Sequence, residues 1–126
     1  MEFDWEDFEE GEAYTTKQRI HVTLNKECKM FFNRRALDAL GAPDGVSLMY
    51  DRRRSVIGVK ATPLNRASVY KLRPKQRKYS GHVITAKNFC RRFSICPDET
   101  LAFTTAEVRD GILILDLNEV RSVKKG

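Results

Sequence analysis

The chain has 126 residues, 41% hydrophobic and 32% charged, with 7 Gly and 4 Pro, which is the composition of one compact domain long enough to bury a core. No apolar run approaches the roughly 20 residues that cross a bilayer, and the acidic opening MEFDWEDFEEGE is unlike a basic and then apolar secretory signal, so a cytoplasmic protein is expected. Three cysteines, Cys28, Cys90 and Cys96, without a C-x-x-C pair, exclude a disulfide framework and predict reduced thiols. The net charge of +6 is unevenly laid out. Residues 1–16 carry seven acids and no base, leaving 23 bases against 10 acids in the remainder. From Arg52 to Pro97 there are 13 Lys and Arg and no Asp or Glu over 46 residues. A stretch of that kind either attracts a polyanion or serves as solvated surface.

In chain order, residues 1–18 mix acids with Phe3, Trp5, Phe8 and Tyr14 and read as an acidic arm that offers Trp5 and Phe8 to a partner. Ile20, Val22 and Leu24 alternate as a half-buried strand, and a polar turn from Asn25 to Lys29 leads into a second strand, Met30 to Phe32. Asn33 suits a helix N-cap. The following RRALDAL puts Ala36, Leu37 and Leu40 on one face of a two-turn helix that Gly41 and Pro43 stop. Val46, Leu48 and Tyr50 alternate again, Asp51 to Ser55 reverses the chain, and Val56 to Lys60 returns as a hairpin.

A basic connector, 63–81, follows, with a strand from Ser68 to Leu72 ended by Pro74. Val83 and Ile84 form a strand, Thr85 or Ala86 opens a helix with Phe89, Cys90 and Phe93 as its apolar face, and Leu101, Phe103 and Thr105 alternate into a hairpin closed near Arg109 to Gly111. Ile112 to Leu117 is the most apolar strand. An offset of 53 residues sets Met30 against Val83, the two helix faces against each other, Leu48 against Leu101 and Tyr50 against Phe103. The fold class expected is therefore α+β, mostly β. Two tandem βαββ units, 19–62 and 82–118, form one barrel-like core with two short helices.

The stretch HVTLNKECKMFF, NRRALDALGAPDGVSLMYD and SVIGVK, residues 20–60, resembles the swapped-hairpin domain of AbrB- and MazE-type transition-state regulators. The whole chain resembles small uncharacterised bacterial proteins with an LNK strand, an A-x-x-A-L-G helix, the Ala86-Lys87-x-Phe89-Cys90 segment and a closing Asp110 to Leu117 strand. The first resemblance implies a cradle-loop barrel that binds DNA through basic residues beside the hairpins and helix start. This sequence departs from that pattern in having Asn33 where the family usually has Pro, and Phe31 and Phe32 where it has small aliphatics.

Catalytic signatures are missing: there is no phosphate loop, H-E-x-x-H or G-x-S-x-G. His21 and His82 read as strand residues, and no local spacing of Cys or His proposes a metal site. Phe31, Phe32, Phe89, Phe93 and Phe103 are expected to face the core, and Tyr70 and Tyr79 either stack on bases or, for Tyr70, fill a strand position. The expectation is a non-enzymatic bacterial nucleic-acid-binding protein without cofactor or metal, a transcriptional regulator or antitoxin, monomeric or dimeric, with DNA favoured over RNA. Its phosphate contacts would be Lys71, Arg73, Lys75, Arg77 and Lys78, with Arg34, Arg35, Arg52, Arg53, Arg54, Arg91 and Arg92 as further candidates. The alternative is an interaction module whose acidic arm holds a basic protein or toxin.

Overall fold

A computed structural model describes residues 19–74 and 81–123. The acidic arm with Trp5 and Phe8, and the connector residues Lys75, Arg77, Lys78 and Tyr79, lie outside the described residues.

The chain starts as a hairpin of β1 (Val22–Leu24) and β2 (Lys29–Phe32), with Val22, Leu24, Met30 and Phe32 all fully buried. Its turn is held by Asn25, whose side-chain oxygen accepts from the Glu27 and Lys29 amides at 2.9 Å each. Helix α1 (Arg34–Ala39) follows directly. Asn33 is the predicted N-cap and does more than cap. Its Oδ1 accepts from the Ala36 amide at 2.9 Å and from the His21 amide at 3.1 Å, while its Nδ2 donates to the Arg19 carbonyl at 3.0 Å. This one buried side chain fixes both the start of α1 and the entry to β1. Gly41, at φ 85°, supplies the left-handed residue that ends the helix.

The hairpin of β3 (Gly45–Asp51) and β4 (Val56–Ala61) comes next, then the short strands β5 (Tyr70–Lys71) and β6 (Arg73–Pro74). The expected strand up to Leu72 breaks there. Leu72 is buried, and the chain crosses at it from one sheet to the other. Pro74 lies not beyond the expected strand but in the outer strand β6 opposite His82, an edge position that tolerates a missing N–H. Strand β7 (His82–Thr85) leads into α2 (Lys87–Phe93), then β8 (Leu101–Phe103), β9 (Glu107–Arg109), β10 (Ile112–Asp116) and β11 (Val120–Ser122). Gly81 enters β7 against the Phe31 ring, where an added Cβ would lie 2.1 Å from Cε1.

The strands form two antiparallel sheets, ordered β11-β8-β1-β2-β7-β6 and β5-β3-β4-β10-β9. The structure is mostly β with two short helices. No barrel closes among the described residues, because each sheet ends in short strands of two or three residues that have no further partner. A second difference concerns Leu101 to Arg109, expected as one hairpin arm. Thr104 to Ala106 splits it, so β8 pairs with β1 and β11 in the first sheet while β9 pairs with β10 in the second. Leu101 and Phe103 therefore do not occupy the sheet positions of Leu48 and Tyr50 in β3.

One apolar cluster draws on both sheets and both helices, from Phe32, Met30 and Leu24 through Ile57, Val59, Leu113 and Leu115 to Ala36, Leu37, Leu40, Phe89 and Cys90. Each such large side chain contributes about 1.5–3 kcal/mol by leaving water. No helix among the described residues is long and apolar enough to cross a membrane.

Candidate nucleic-acid interface

The basic residues divide into three groups. The first is the β3–β4 turn, where Arg52, Arg53 and Arg54 are all exposed. The turn is anchored from behind: the Asn118 Nδ2 donates to the Arg54 carbonyl and the Leu117 amide to the Ser55 carbonyl, both at 2.9 Å. Arg54 is engaged with Asp51 at 3.5 Å, and the Arg54 amide also donates to that carboxylate. Arg52 instead places its guanidinium 5.3 Å from the Phe93 ring centre, and Arg92 of α2 places its own 5.1 Å from the same ring. Phe93 thus joins the hairpin turn to the end of α2. Behind it, the Tyr50 ring meets Phe93 at a tilt and the Phe89 ring meets it edge-on, at 5.0 Å and 5.1 Å between ring centres. Contacts of this type are worth about 0.5–1 kcal/mol each when exposed, enough to orient a guanidinium and too little to bury it.

The second group surrounds α2 on its other side, where Arg91 and Lys87 line an open pocket with Lys26 and Lys29. The third is α1. Arg34 lies 3.8 Å from Asp38, and Arg35 borders a depression formed with Arg19 and the segment 104–108, which includes Glu107. Of the connector candidates, Lys71 and Arg73 are exposed on β5 and β6 at sheet edges. The structure therefore brings Arg52 and Arg92 together, keeps Arg34 and Arg35 in acid-containing surroundings, and leaves Lys75, Arg77 and Lys78 outside the described residues.

Of the aromatic residues expected in the core, Phe32, Phe89 and Phe103 are buried, whereas Phe31 and Phe93 are only half-buried. Phe31 meets the His21 ring edge-on at 6.3 Å, and Phe93 carries the two guanidiniums, so both sit at the rim of the core. Tyr70 is half-buried against the core, and burial, partly offset by a hydrogen bond to the Phe89 backbone, pushes its hydroxyl pKa up; this is a strand position, not a stacking platform. The pKa of His21 is lowered by burial and by Arg121 nearby. His82 keeps a buried Nδ1 without a hydrogen-bond partner among the described residues.

Sequence spacing did not suggest two features of this region. Phe93 has the spacing of a core residue, and only its place directly after Arg91 and Arg92 hinted at a cationic setting. Cys28, distant in sequence from Cys90 and Cys96, lines with them the pocket beside Lys87 and Arg91. They are free thiols and do not, among the described residues, assemble into a group able to hold a metal ion. No protein family, curated protein or solved structure matches this chain.

Proposed function

We propose that this chain is a non-enzymatic nucleic-acid-binding protein that favours duplex DNA, a regulator or antitoxin of the kind the AbrB and MazE resemblance implies. The observation that supports it most is the meeting of the β3–β4 turn and the end of α2 across Phe93, at two points of a 46-residue stretch with 13 bases and no acid. Guanidiniums held against a half-buried ring at the rim of the core lose less freedom on meeting phosphate. The tandem reading, two βαββ units around a barrel-like core, belongs to the same proposal. It is supported by the central pairs β2 with β7 and β4 with β10, each joining corresponding strands of the two units. Strand β8 is an addition to the second unit that the first lacks.

The test is equilibrium binding of mixed-sequence duplex DNA and of single-stranded RNA at two salt concentrations. Engagement of about 4–6 duplex phosphates gives a log-log salt slope near −4 to −5. Replacing Arg52, Arg53 and Arg92 together by Ala should weaken binding to all sequences alike and flatten the slope by about 3, and replacing Lys75, Arg77 and Lys78 should act in the same way. Affinity no better than about 10⁻⁴ M for either polymer at physiological salt would overturn the reading.

The seven acids in residues 1–16, with Trp5 and Phe8 among them, favour a second reading in which this arm binds a basic protein. If the arm instead lies over the basic body, its deletion should strengthen polyanion binding, most at low salt.

A further inference from the structure

Cys28, Cys90 and Cys96 come from three different places and reach one pocket. Cys28 occupies the β1–β2 turn at φ 65°, a left-handed position where Gly or Asn would be less strained. The Ala86 amide donates to the Cys28 carbonyl at 2.8 Å, which docks this turn on the start of α2. Cys90 lies one turn into α2, and the Ile95 amide donates to its carbonyl at 2.9 Å, folding the following residues, Cys96 included, back beside the helix. The three differ in access: Cys96 is exposed, Cys28 half-buried and Cys90 buried. The Cys90 side chain neighbours that of Cys28 in this pocket. Burial first, and that neighbour second, push the pKa of Cys90 up to about 12.

We propose that Cys28 and Cys90 form a modification site for hydrogen peroxide or an organic hydroperoxide, which converts these two thiols of one pocket into a disulfide between the β1–β2 turn and α2. Cys28, the more accessible of the pair, reacts first. Its sulfur attacks the peroxide, the O–O bond breaks, and Cys28 becomes a sulfenic acid as water or an alcohol leaves. The Cys90 sulfur then attacks the Cys28 sulfur and the S–O bond breaks. The hydroxyl departs with the Cys90 proton as water, leaving the S–S bond. Two thiols lose two electrons in total and the peroxide gains them. Because Cys90 is held as the thiol, the second step is slow near neutral pH and accelerates as pH rises.

The experiment treats the full chain with hydrogen peroxide at about pH 7 and about pH 9, alkylates it under denaturing conditions, and reads intact mass and peptide maps. The expected product is a monomer with one alkylated cysteine in place of three, whose Cys28 and Cys90 peptides are linked until a dithiol reductant is added. It should form faster at the higher pH. Cys96→Ser should still form it. Cys28→Gly, which suits the left-handed turn and so keeps the fold, should abolish the intramolecular link. Full alkylation after peroxide, a link through Cys96 instead, or a cross-link that survives in Cys28→Gly would each overturn the assignment.

Discussion

Helices α1 and α2 each carry two adjacent arginines, and the settings are opposite. In α1, Arg34 and Arg35 occupy the first turn, where the exposed amides and the helix dipole disfavour positive charge; Asn33 satisfies the Ala36 amide and Asp38 faces Arg34 at 3.8 Å. In α2, Arg91 and Arg92 occupy the last turn, where the dipole favours them, and the left-handed Ser94 closes the helix at φ 58°. No side chain caps the start of α2, since Ala86 has φ −107° and ψ 40° and no polar group, and aromatic packing of Phe89 and Phe93 on Tyr50 holds the helix instead. One helix is fixed by polar bonds at its start and keeps its arginines near acids. The other is fixed by rings along its side and presents Arg92 with Arg52. Under the proposed function, the pair that takes part in binding is the one whose place on the helix leaves its charges uncompensated.

Core truncation should separate the two helices most strongly. Leu40, 9% exposed, lies within the apolar cluster, and Leu40→Ala should cost about 2–5 kcal/mol in urea unfolding. Phe93 is half-buried, so Phe93→Ala should cost about 1–2 kcal/mol while releasing Arg52 and Arg92 from their platform. A larger loss for Phe93 would mean that the ring is a core residue after all. The cap is of similar size. Asn33→Ala leaves the Ala36 and His21 amides and the Arg19 carbonyl without their side-chain partner, for a loss of about 1–3 kcal/mol. Asn33→Asp keeps both accepted bonds and should fall between the two. If Asp and Ala are equally unstable, the bond from Nδ2 to Arg19 is the one that counts.

Removing Arg52 and Arg92 together should weaken duplex DNA binding about tenfold at physiological salt, against a change of less than about twofold for Arg34 and Arg35 removed together, whose charges are then screened. Equal losses from both pairs would place α1 in the interface and erase the contrast.

The elements with a strong local period were legible in the sequence: the β1–β2 and β3–β4 hairpins, both helices and β10 appear where alternation or helical spacing puts them. The Asn33 cap was legible too, but not its bonds to Arg19 and His21, which depend on β1 passing alongside. Strand β8 was misplaced for a physical reason. Alternation of Leu101 and Phe103 says that one face is buried, and says nothing about which sheet supplies the neighbour. A two-residue strand such as β6 is shorter than any period can reveal, and β5 fills only Tyr70–Lys71 of the strand expected from Ser68 to Leu72. At the candidate site the charge asymmetry was plain. The meeting of Arg52 with Arg92, and of Cys28 with Cys90 and Cys96 in one pocket, arises only from the docking of α2 against the hairpin turns.

The smallest effect expected is also the most direct probe of compensation on α1. Asp38 is exposed and paired with Arg34 at 3.8 Å on the helix surface, with roughly half of each side chain open to solvent. Ion pairs of this kind contribute less than about 0.5 kcal/mol, so Asp38→Asn should barely move the unfolding midpoint. It does remove a negative charge beside two arginines. If α1 stands away from the polyanion, DNA affinity at physiological salt should change by less than about 1.5-fold, because charges beyond a Debye length of about 8 Å are screened. If α1 forms part of the contact, the freed Arg34 should strengthen binding by about two- to fourfold and steepen the salt slope by nearly one. Measured beside the Arg34 and Arg35 double variant, the two results must move in opposite directions for α1 to belong to the interface, and both stay near zero if α2 and the β3–β4 turn carry it alone.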